Sequence, residues 1–268
     1  MLIYFYQVLY LICPSGMIVY NNWHVGVVIP ARNEEGLIGG VLSDIPSYVD
    51  KVIVVNDGST DSTDEVSRKY SNEKYELTIV QNNGQGVGSS IDRGHQELLK
   101  LCESPFISVV MAGDGQMDPE DMENLLQPII SGTADYSKGD RFIHPQGVSN
   151  MPIIRRLASQ ILAFFTTLAA GQRISDPQCG YTATSHEVIK SWDWNKSWKG
   201  YGYPNYWLIN LAKGSWRIVH VPVKSIYGSE TSAIKNLSFF IKVGIMMAIQ
   251  HHLRVFSKLF SRDINPHI

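Results

Sequence analysis

The stretch Ile107-Ser-Val-Val-Met-Ala-Gly-Asp-Gly-Gln-Met-Asp-Pro119 decides the fold. The run Phe106 to Met111 is apolar throughout and reads as a buried strand. Gly113 and Gly115 break it, and two carboxylates, Asp114 and Asp118, appear before Pro119 opens a helix. A strand that ends in carboxylates delivers them to the C-terminal edge of a sheet, where open α/β folds bind ligands. Carboxylate and amide oxygens at this spacing are hard donors suited to Mg²⁺ or Mn²⁺. Such an ion keeps several waters and takes other ligands from substrate phosphates. The stretch therefore points to a metal–diphosphate site. A strand, a turn and an Asp-capped helix would leave the same residues without that role.

Upstream, strands and helices alternate. Val25 to Ile29 reads as a buried strand ended by Pro30, followed by a helix to about Ser43. Lys51 to Asn56 is a second strand, and Asp57-Gly-Ser-Thr-Asp61 leads into a helix that runs to Tyr70. Glu76 to Gln81 is a third strand, and the glycine-rich loop from Asn82 to Ser89 precedes a helix over Ser90–Leu101. This alternation predicts an α/β fold whose sheet is mostly parallel and flanked by helices.

Composition narrows the function classes. The chain has 268 residues, 44% hydrophobic, and a formal net charge of −2. That is ample for a large core and offers no basic surplus for general nucleic-acid binding. Cys13, Cys102 and Cys179 are few, odd in number and far apart, so neither a disulfide framework nor zinc spacing follows, and a reducing compartment is expected. Residues 1–22 are apolar but interrupted, and their unbroken pieces fall short of the roughly 20 residues of a bilayer span. They read as an extension outside the fold, with a membrane-touching segment as the alternative.

Gly84-Gln-Gly86-Val-Gly88 imitates a dinucleotide fingerprint, but Ser89 stands where its last glycine belongs, and the loop follows the third strand rather than the first. A dehydrogenase is thus disfavoured. The ordered set is more specific: Val27-Val-Ile-Pro-Ala-Arg-Asn-Glu-Glu35, Val54-Val-Asn-Asp-Gly-Ser-Thr-Asp61, Asn83-Gly-Gln-Gly86 and Gly113-Asp-Gly-Gln-Met-Asp-Pro119. From about Val25 to Gly228 the chain resembles the family 2 glycosyltransferases of the GT-A fold, and within them the dolichyl- and polyprenyl-phosphate sugar transferases.

The resemblance implies roles. Pro30, Ala31, Asn33, Glu34 and Asp57 match the base and ribose pocket for a UDP- or GDP-sugar, and Gly84, Gly86 and Gly113 match positions where backbone approaches the donor. A turn role with an Asx-type bond is the competing reading of Asp57. Asp114 matches the metal-binding aspartate of the D-x-D motif, and Gln116 a further metal-holding position, for Mg²⁺ or Mn²⁺. The first acid of that motif is replaced by Ala112. Either the site binds without turnover, or Asp114, Gln116, diphosphate oxygens and water complete an octahedral shell. The intact remainder of the motif favours the second.

In the C-terminal half, Ala134 to Arg141 resembles the family's K-G-N-R-F strand end, with Asp140 in place of Asn. Arg141, with Arg155 and Arg156 in the first turn of a helix over Ile153–Ala170, matches arginines that hold an acceptor phosphate. Leu157, Ile161, Phe164, Phe165 and Leu168 are spaced as one stripe of that helix and read as core. Asp176 and Gln178, in Ile174-Ser-Asp-Pro-Gln-Cys-Gly-Tyr181, match the segment that closes the sugar site, with a Pro-containing turn as the alternative. Aromatics from Trp192 to Trp207 read as core or scaffold before ligand contact. Tyr203-Pro-Asn-Tyr206 lies where many relatives carry an acidic general base, and no Asp or Glu occurs there. A hydroxyl acceptor needs such a base and an ionised phosphate does not, so the pattern leans toward a polyprenyl phosphate over a glycan, with Asp176 as a substitute base otherwise.

Lys224 to Ser232 resembles a loop that covers the donor phosphates. Residues 233–268 then form an amphipathic tail beyond a catalytic domain of residues 23–232, basic among its apolar positions and suited to the cytoplasmic face of a membrane. Packing on the catalytic domain, or a homo-oligomer contact, are the alternatives. A metal-dependent, inverting glycosyltransferase is the reading that results. A non-catalytic nucleotide-sugar-binding protein is its competitor from another class.

Overall fold

The computed structural model describes residues 10–12, 18–20, 23–71, 74–102, 105–149, 151–226 and 237–260. Two short strands, β1 (Tyr10–Ile12) and β2 (Ile18–Tyr20), form an antiparallel pair ahead of the main sheet. The main sheet begins with β3 (His24–Ala31), then α1 (Ile38–Ser43), β4 (Lys51–Asn56), α2 (Thr63–Arg68), β5 (Glu76–Gln81), α3 (Val87–Leu101) and β6 (Phe106–Val110). A 3₁₀ turn at Pro119–Asp121 leads into α4 (Met122–Ile130), followed by β7 (Tyr136–Asp140), α5 (Ile153–Ala170), β8 (Thr182–Ser185), α6 (His186–Ser191), α7 (Tyr203–Lys213), β9 (Ile218–Pro222) and α8 (Leu237–Phe260).

Seven strands lie in the order β5-β4-β3-β6-β8-β7-β9. β5, β4, β3 and β6 are mutually parallel, as the alternating pattern predicts. β8 runs antiparallel to both β6 and β7, so the sheet is mixed past its centre. Helices cover both faces of β3, β4 and β6, which explains why these strands are continuously apolar rather than alternating. Val25, Val27, Val28 and Ile29 of β3, Val52 to Val55 of β4, and Phe106, Ile107 and Val109 of β6 are fully buried.

Parallel register aligns the strand ends. Ala31 pairs with Asn56, Asn56 with Gln81, and Val28 with Val110. The loops after β3, β4, β5 and β6 therefore emerge side by side along one edge.

The α5 stripe is turned the other way from the expectation. Leu157, Ile161, Phe164, Phe165 and Leu168 face outward, while Ser159, Leu162, Ala163, Thr166, Ala169 and Ala170 face the protein. Small residues on the inner face let α5 lie close to α7 and α8. Periodicity identifies an apolar face but carries no information about what that face meets. The aromatic cluster is scaffold: Trp207 is buried, with Trp192 at 3.8 Å, Tyr203 at 5.5 Å and His95 at 5.8 Å between ring centroids.

Candidate active site

The first two loops of the shared edge are laced together. Asn33 adopts a left-handed backbone (φ 56°). Its N–H donates to Ser59 Oγ at 3.0 Å, and its side-chain oxygen accepts from Thr60 N at 2.8 Å. Glu34 N–H donates to Thr63 Oγ1 at 2.9 Å and Glu35 N–H to Asp61 Oδ2 at 3.1 Å. Glu35 in turn accepts from Ser62 N at 3.0 Å. Polar side chains thus replace the ladder that the strands can no longer supply, and they hold the candidate base pocket in shape without a ligand. Behind them Asp64 accepts from both Asn56 and Gln81 at 2.6 Å, pinning α2 to the ends of β4 and β5.

Asp57 is buried, and its carboxylate holds the glycine-rich loop. It accepts from Asn82 Nδ2 at 2.7 Å and from Gly86 N at 3.0 Å. Asn82 also bridges to Ser90 Oγ and accepts from Ser89 Oγ, each at 3.0 Å. A carboxylate has about four acceptor sites, so this anchoring is compatible with one more donor from a base or ribose. Asn82 is a positioning residue that pattern reading passed over. Its one signal is its place between a strand end and a glycine run.

Gly86 has a need for glycine within the chain itself, beside the donor approach expected of it. Its φ is +99°, and an added Cβ would lie 2.6 Å from the carbonyl oxygen of Lys199. The close approach is made by the chain's own 198–200 segment, whose Lys199 carbonyl accepts from Gly88 N at 3.0 Å. Gly84, by contrast, is exposed and faces open space. Gly113 is buried against Ala31 and Ile38, where it lets the end of β6 close on the end of β3, and its N–H donates to Pro30 O at 3.2 Å.

Asp114 stands half-buried at this edge, with Oδ1 accepting from Gln116 N at 3.1 Å. Gly115 turns the chain at φ +71°. Asp118 caps the following 3₁₀ turn through Glu120 N at 3.1 Å. A strap crosses the stretch: Ile226 N donates to Gln116 O at 3.0 Å, and Lys224 N to Asp121 Oδ2 at 2.7 Å. The remainder of the expected covering loop, with Tyr227 and Gly228, lies outside the described residues. Among the described residues no cluster of three or more His, Cys, Asp or Glu side chains could cage a metal alone. One carboxylate and one amide side chain, both accessible, nevertheless fit a hard cation that draws its other ligands from phosphate and water.

The second half of the site centres on a buried ion pair. Arg141 Nε and Nη2 donate to Asp176 Oδ2 and Oδ1 at 2.7 and 2.8 Å, and Arg141 N–H donates to Oδ2 at 3.1 Å. Burial alone would raise the Asp176 pKa, but the Arg141 guanidinium and then Lys138 outweigh it and hold the carboxyl below its usual range. Asp176 is therefore ionised and fully engaged, which makes it a poor proton acceptor. Lys138 is buried beside it, donating to the Cys179 carbonyl, and burial depresses its pKa. Gln178 donates to Asn205, and Asn205 donates to Thr166 Oγ1 at 2.7 Å, tying the expected sugar segment to α7 and α5. Arg155 and Arg156 sit at the start of α5, past the 141–152 connection that leaves this edge.

One further group escaped the sequence reading. Asp92 of α3 is buried, and neither carboxylate oxygen finds a hydrogen-bond partner. The nearest cation, Lys199, is 4.0 Å away. Desolvation pushes its pKa up to about 6. A lone Asp inside a helix carries no pattern that marks it as buried.

Comparisons with known proteins agree with this fold. The model of the family described as "Glycosyl transferase family 2" matches residues 26–192. A UDP-N-acetylglucosamine–dolichyl-phosphate N-acetylglucosaminyltransferase of Methanococcus voltae is 29% identical over 75% of this chain and 85% of its own. A dolichol-phosphate mannosyltransferase of Pyrococcus furiosus is 30% identical over 64% of this chain and 49% of its own. Among solved structures, glucosyl-3-phosphoglycerate synthase of Mycobacterium tuberculosis, in complex with Mn²⁺, UDP-glucose and phosphoglyceric acid, superposes with a TM-score of 0.61. It is 20% identical and covers 85% of this chain and 78% of that one, a likeness of fold.

Proposed function

The chain belongs to glycosyl transferase family 2, and on that premise we propose that it moves a sugar from a UDP- or GDP-sugar to a polyprenyl phosphate with inversion at the anomeric carbon. It is a glycosyltransferase. What needs argument is the donor, the acceptor and the metal.

The donor reading rests on the shared edge. The pocket formed by Pro30, Ala31, Asn33 and Glu34 is held against the 57–63 loop by the chain's own hydrogen bonds. Asp57 supplies an acceptor for a base N–H or ribose hydroxyl while it holds Gly86 in place. Asp114 and Gln116 would hold Mg²⁺ or Mn²⁺ against the diphosphate. When bound, such an ion neutralises charge building on the departing nucleoside diphosphate. The Mn²⁺ and UDP-glucose in the mycobacterial structure support a divalent ion and a nucleotide sugar for this fold.

Asn205 is the observation that carries the acceptor assignment. It lies in the Tyr203–Tyr206 stretch, where the family resemblance implies an acidic base, and it is a buried amide hydrogen-bonded to Gln178 and Thr166. The substitute base that the sequence offers, Asp176, is paired with Arg141 and held ionised below the usual carboxylate range. A saccharide hydroxyl would have to lose its proton to one of these, whereas a phosphate arrives already deprotonated. The lipid-phosphate acceptors in the names of the Methanococcus and Pyrococcus relatives support the same choice. In this reading Arg141 orients the acceptor phosphate indirectly, with its guanidinium fixed by Asp176, and Arg155 and Arg156 add positive charge on the approach.

Transfer assays with Mn²⁺ decide it. Radiolabelled sugar should pass from UDP- or GDP-sugar donors into organic-extractable polyprenyl phosphate. Transfer only to a saccharide would move the acceptor assignment to the glycan class. Binding of the donor with neither transfer nor hydrolysis would make Ala112 the mark of a non-catalytic site.

A further inference from the structure

The geometry points to Asp140, acting with Ser175 and His220, as the positioning residue that fixes the Arg141–Asp176 pair on the acceptor side of the site. The inference rests on the acceptor role given to Arg141 above and deepens it, since Arg141 serves an acceptor only where the pair is held.

Sheet topology brings Asp140 to the working edge. β7 is antiparallel to β8, and β8 is antiparallel to β6, so β7 runs with β6 and ends at the same edge as Asp114. Alternation along a strand puts Lys138 and Asp140 on one face of β7. The parallel pairing with β9 then sets His220 opposite Lys138.

Both carboxylate oxygens of Asp140 are engaged. Oδ1 accepts from Phe142 N at 2.9 Å, which turns the chain around Arg141, and Oδ2 accepts from Ser175 Oγ. His220 Nδ1 lies 3.5 Å from Ser175 Oγ and 3.7 Å from Asp140 Oδ2. Asp176, the neighbour of Ser175, makes the reciprocal contact by accepting from Arg141 N at 3.1 Å. Two carboxylates thus clasp the 140–142 turn and the 175–176 segment crosswise. On its other side that segment is tied to α5, where Ile174 N donates to Thr167 Oγ1 at 2.9 Å. The backbone carbonyl of Asp140 also accepts from Val223 N at 3.3 Å, at the root of the strap that crosses the Asp114 stretch.

Charge gives the acid a task beyond the turn. Asp140 is fully buried, and a buried carboxylate is costly unless it is paired and hydrogen-bonded. The family resemblance has Asn at this position. An amide would keep the bond from Phe142 N and turn its NH₂ to Ser175 Oγ. It would not balance Lys138, which is also fully buried and feels the charges of Asp176 and Asp140. The Asp140 carboxylate stands against Lys138 as Asp176 stands against Arg141, so Lys138 does not compete with Arg141 for Asp176. His220 leaves this balance intact. Desolvation first, and then the charge of Lys138, hold its imidazole below the usual range, so it is neutral at pH 7.

Steady-state transfer kinetics of the full chain with Mn²⁺, varying donor and acceptor separately, test the inference. The wild type is assayed with polyprenyl phosphate and with a glycan, and the variants with the acceptor it uses. Use of a glycan would revise the acceptor reading and leave the test of Asp140 in force. Asp140→Ala should raise the acceptor KM about tenfold, the scale of one lost charge-assisted hydrogen bond, with the donor KM unchanged. Asp140→Asn keeps the turn and the Ser175 contact and should stay within about threefold of the wild type. Ser175→Ala removes only a partly exposed hydroxyl, so it keeps the test alive if Asp140→Ala fails to fold, and it should raise the acceptor KM about threefold. An acceptor KM unchanged in Asp140→Ala or in Ser175→Ala overturns the inference. So does an equal rise in the donor and acceptor KM values, which marks a general loosening of the fold.

Discussion

Asp92→Asn isolates the energetic cost of a charge buried without a partner. Asp92 lies 2% exposed between α3 and the 197–203 segment, facing Tyr203 and with Lys199 no nearer than 4.0 Å. Its pKa is raised from 3.8 to about 6, first by desolvation, which the nearby Tyr203 and Ser197 side chains and the charge of Lys199 only partly offset. The folded state therefore binds more protons than the unfolded state between those two values. Stability contributed by this group is greatest below pH 4, falls as pH rises through 6, and stays low above it. The displacement corresponds to about 3 kcal/mol at the high-pH limit. Asn keeps the shape and removes the charge. Urea unfolding of both proteins at pH 4 and pH 8 should give near-equal stabilities at the lower pH and a gain of about 2–3 kcal/mol for the variant at pH 8. A variant that is equal to or less stable than wild type at pH 8 would refute the reasoning, because it would mean that Asp92 is well compensated as an anion.

Two other substitutions test the frame of the site. Gly86→Ala must place a Cβ against the Lys199 carbonyl from a backbone at φ +99°, so it should cost about 1–3 kcal/mol in denaturation and weaken nucleotide binding as the loop leaves Asp57. Arg141→Leu strands Asp176 in the interior and should destabilise by about 3–5 kcal/mol, whereas Arg141→Leu combined with Asp176→Leu should recover much of that loss; additive losses in a thermal-unfolding cycle would mean the pair is not coupled.

Much of the donor half was legible because local chemistry and tertiary role coincide there. Lys51–Asn56 and Glu76–Gln81 form strands with the bounds their patterns predict, the first a buried apolar run and the second a half-buried edge strand that alternates loosely, each followed by an Asx and glycine turn. The acceptor half was less legible. The four residues Thr182 to Ser185 hold nothing that tells strand direction, and only the neighbours β6 and β7 make β8 antiparallel. Gln178 was expected at the sugar and is hydrogen-bonded to Asn205, a partner that no spacing rule connects to it. Arg141 and Asp176 were assigned to separate roles and turn out to be paired, because a contact across 35 residues leaves no local trace. In α5 the periodicity was correct and the environment was not, since an apolar stripe is the same sequence signal whether protein or lipid covers it.

The metal at the lip of β6 is the claim on which the rest depends, and calorimetric titration of UDP and GDP tests it most directly. With Mn²⁺ present the wild type should bind one of these diphosphates, and chelation of the metal or Asp114→Ala should each weaken that binding by about tenfold or more, the scale of one lost charge-assisted contact. Affinity indifferent to both the metal and Asp114 would contradict the account.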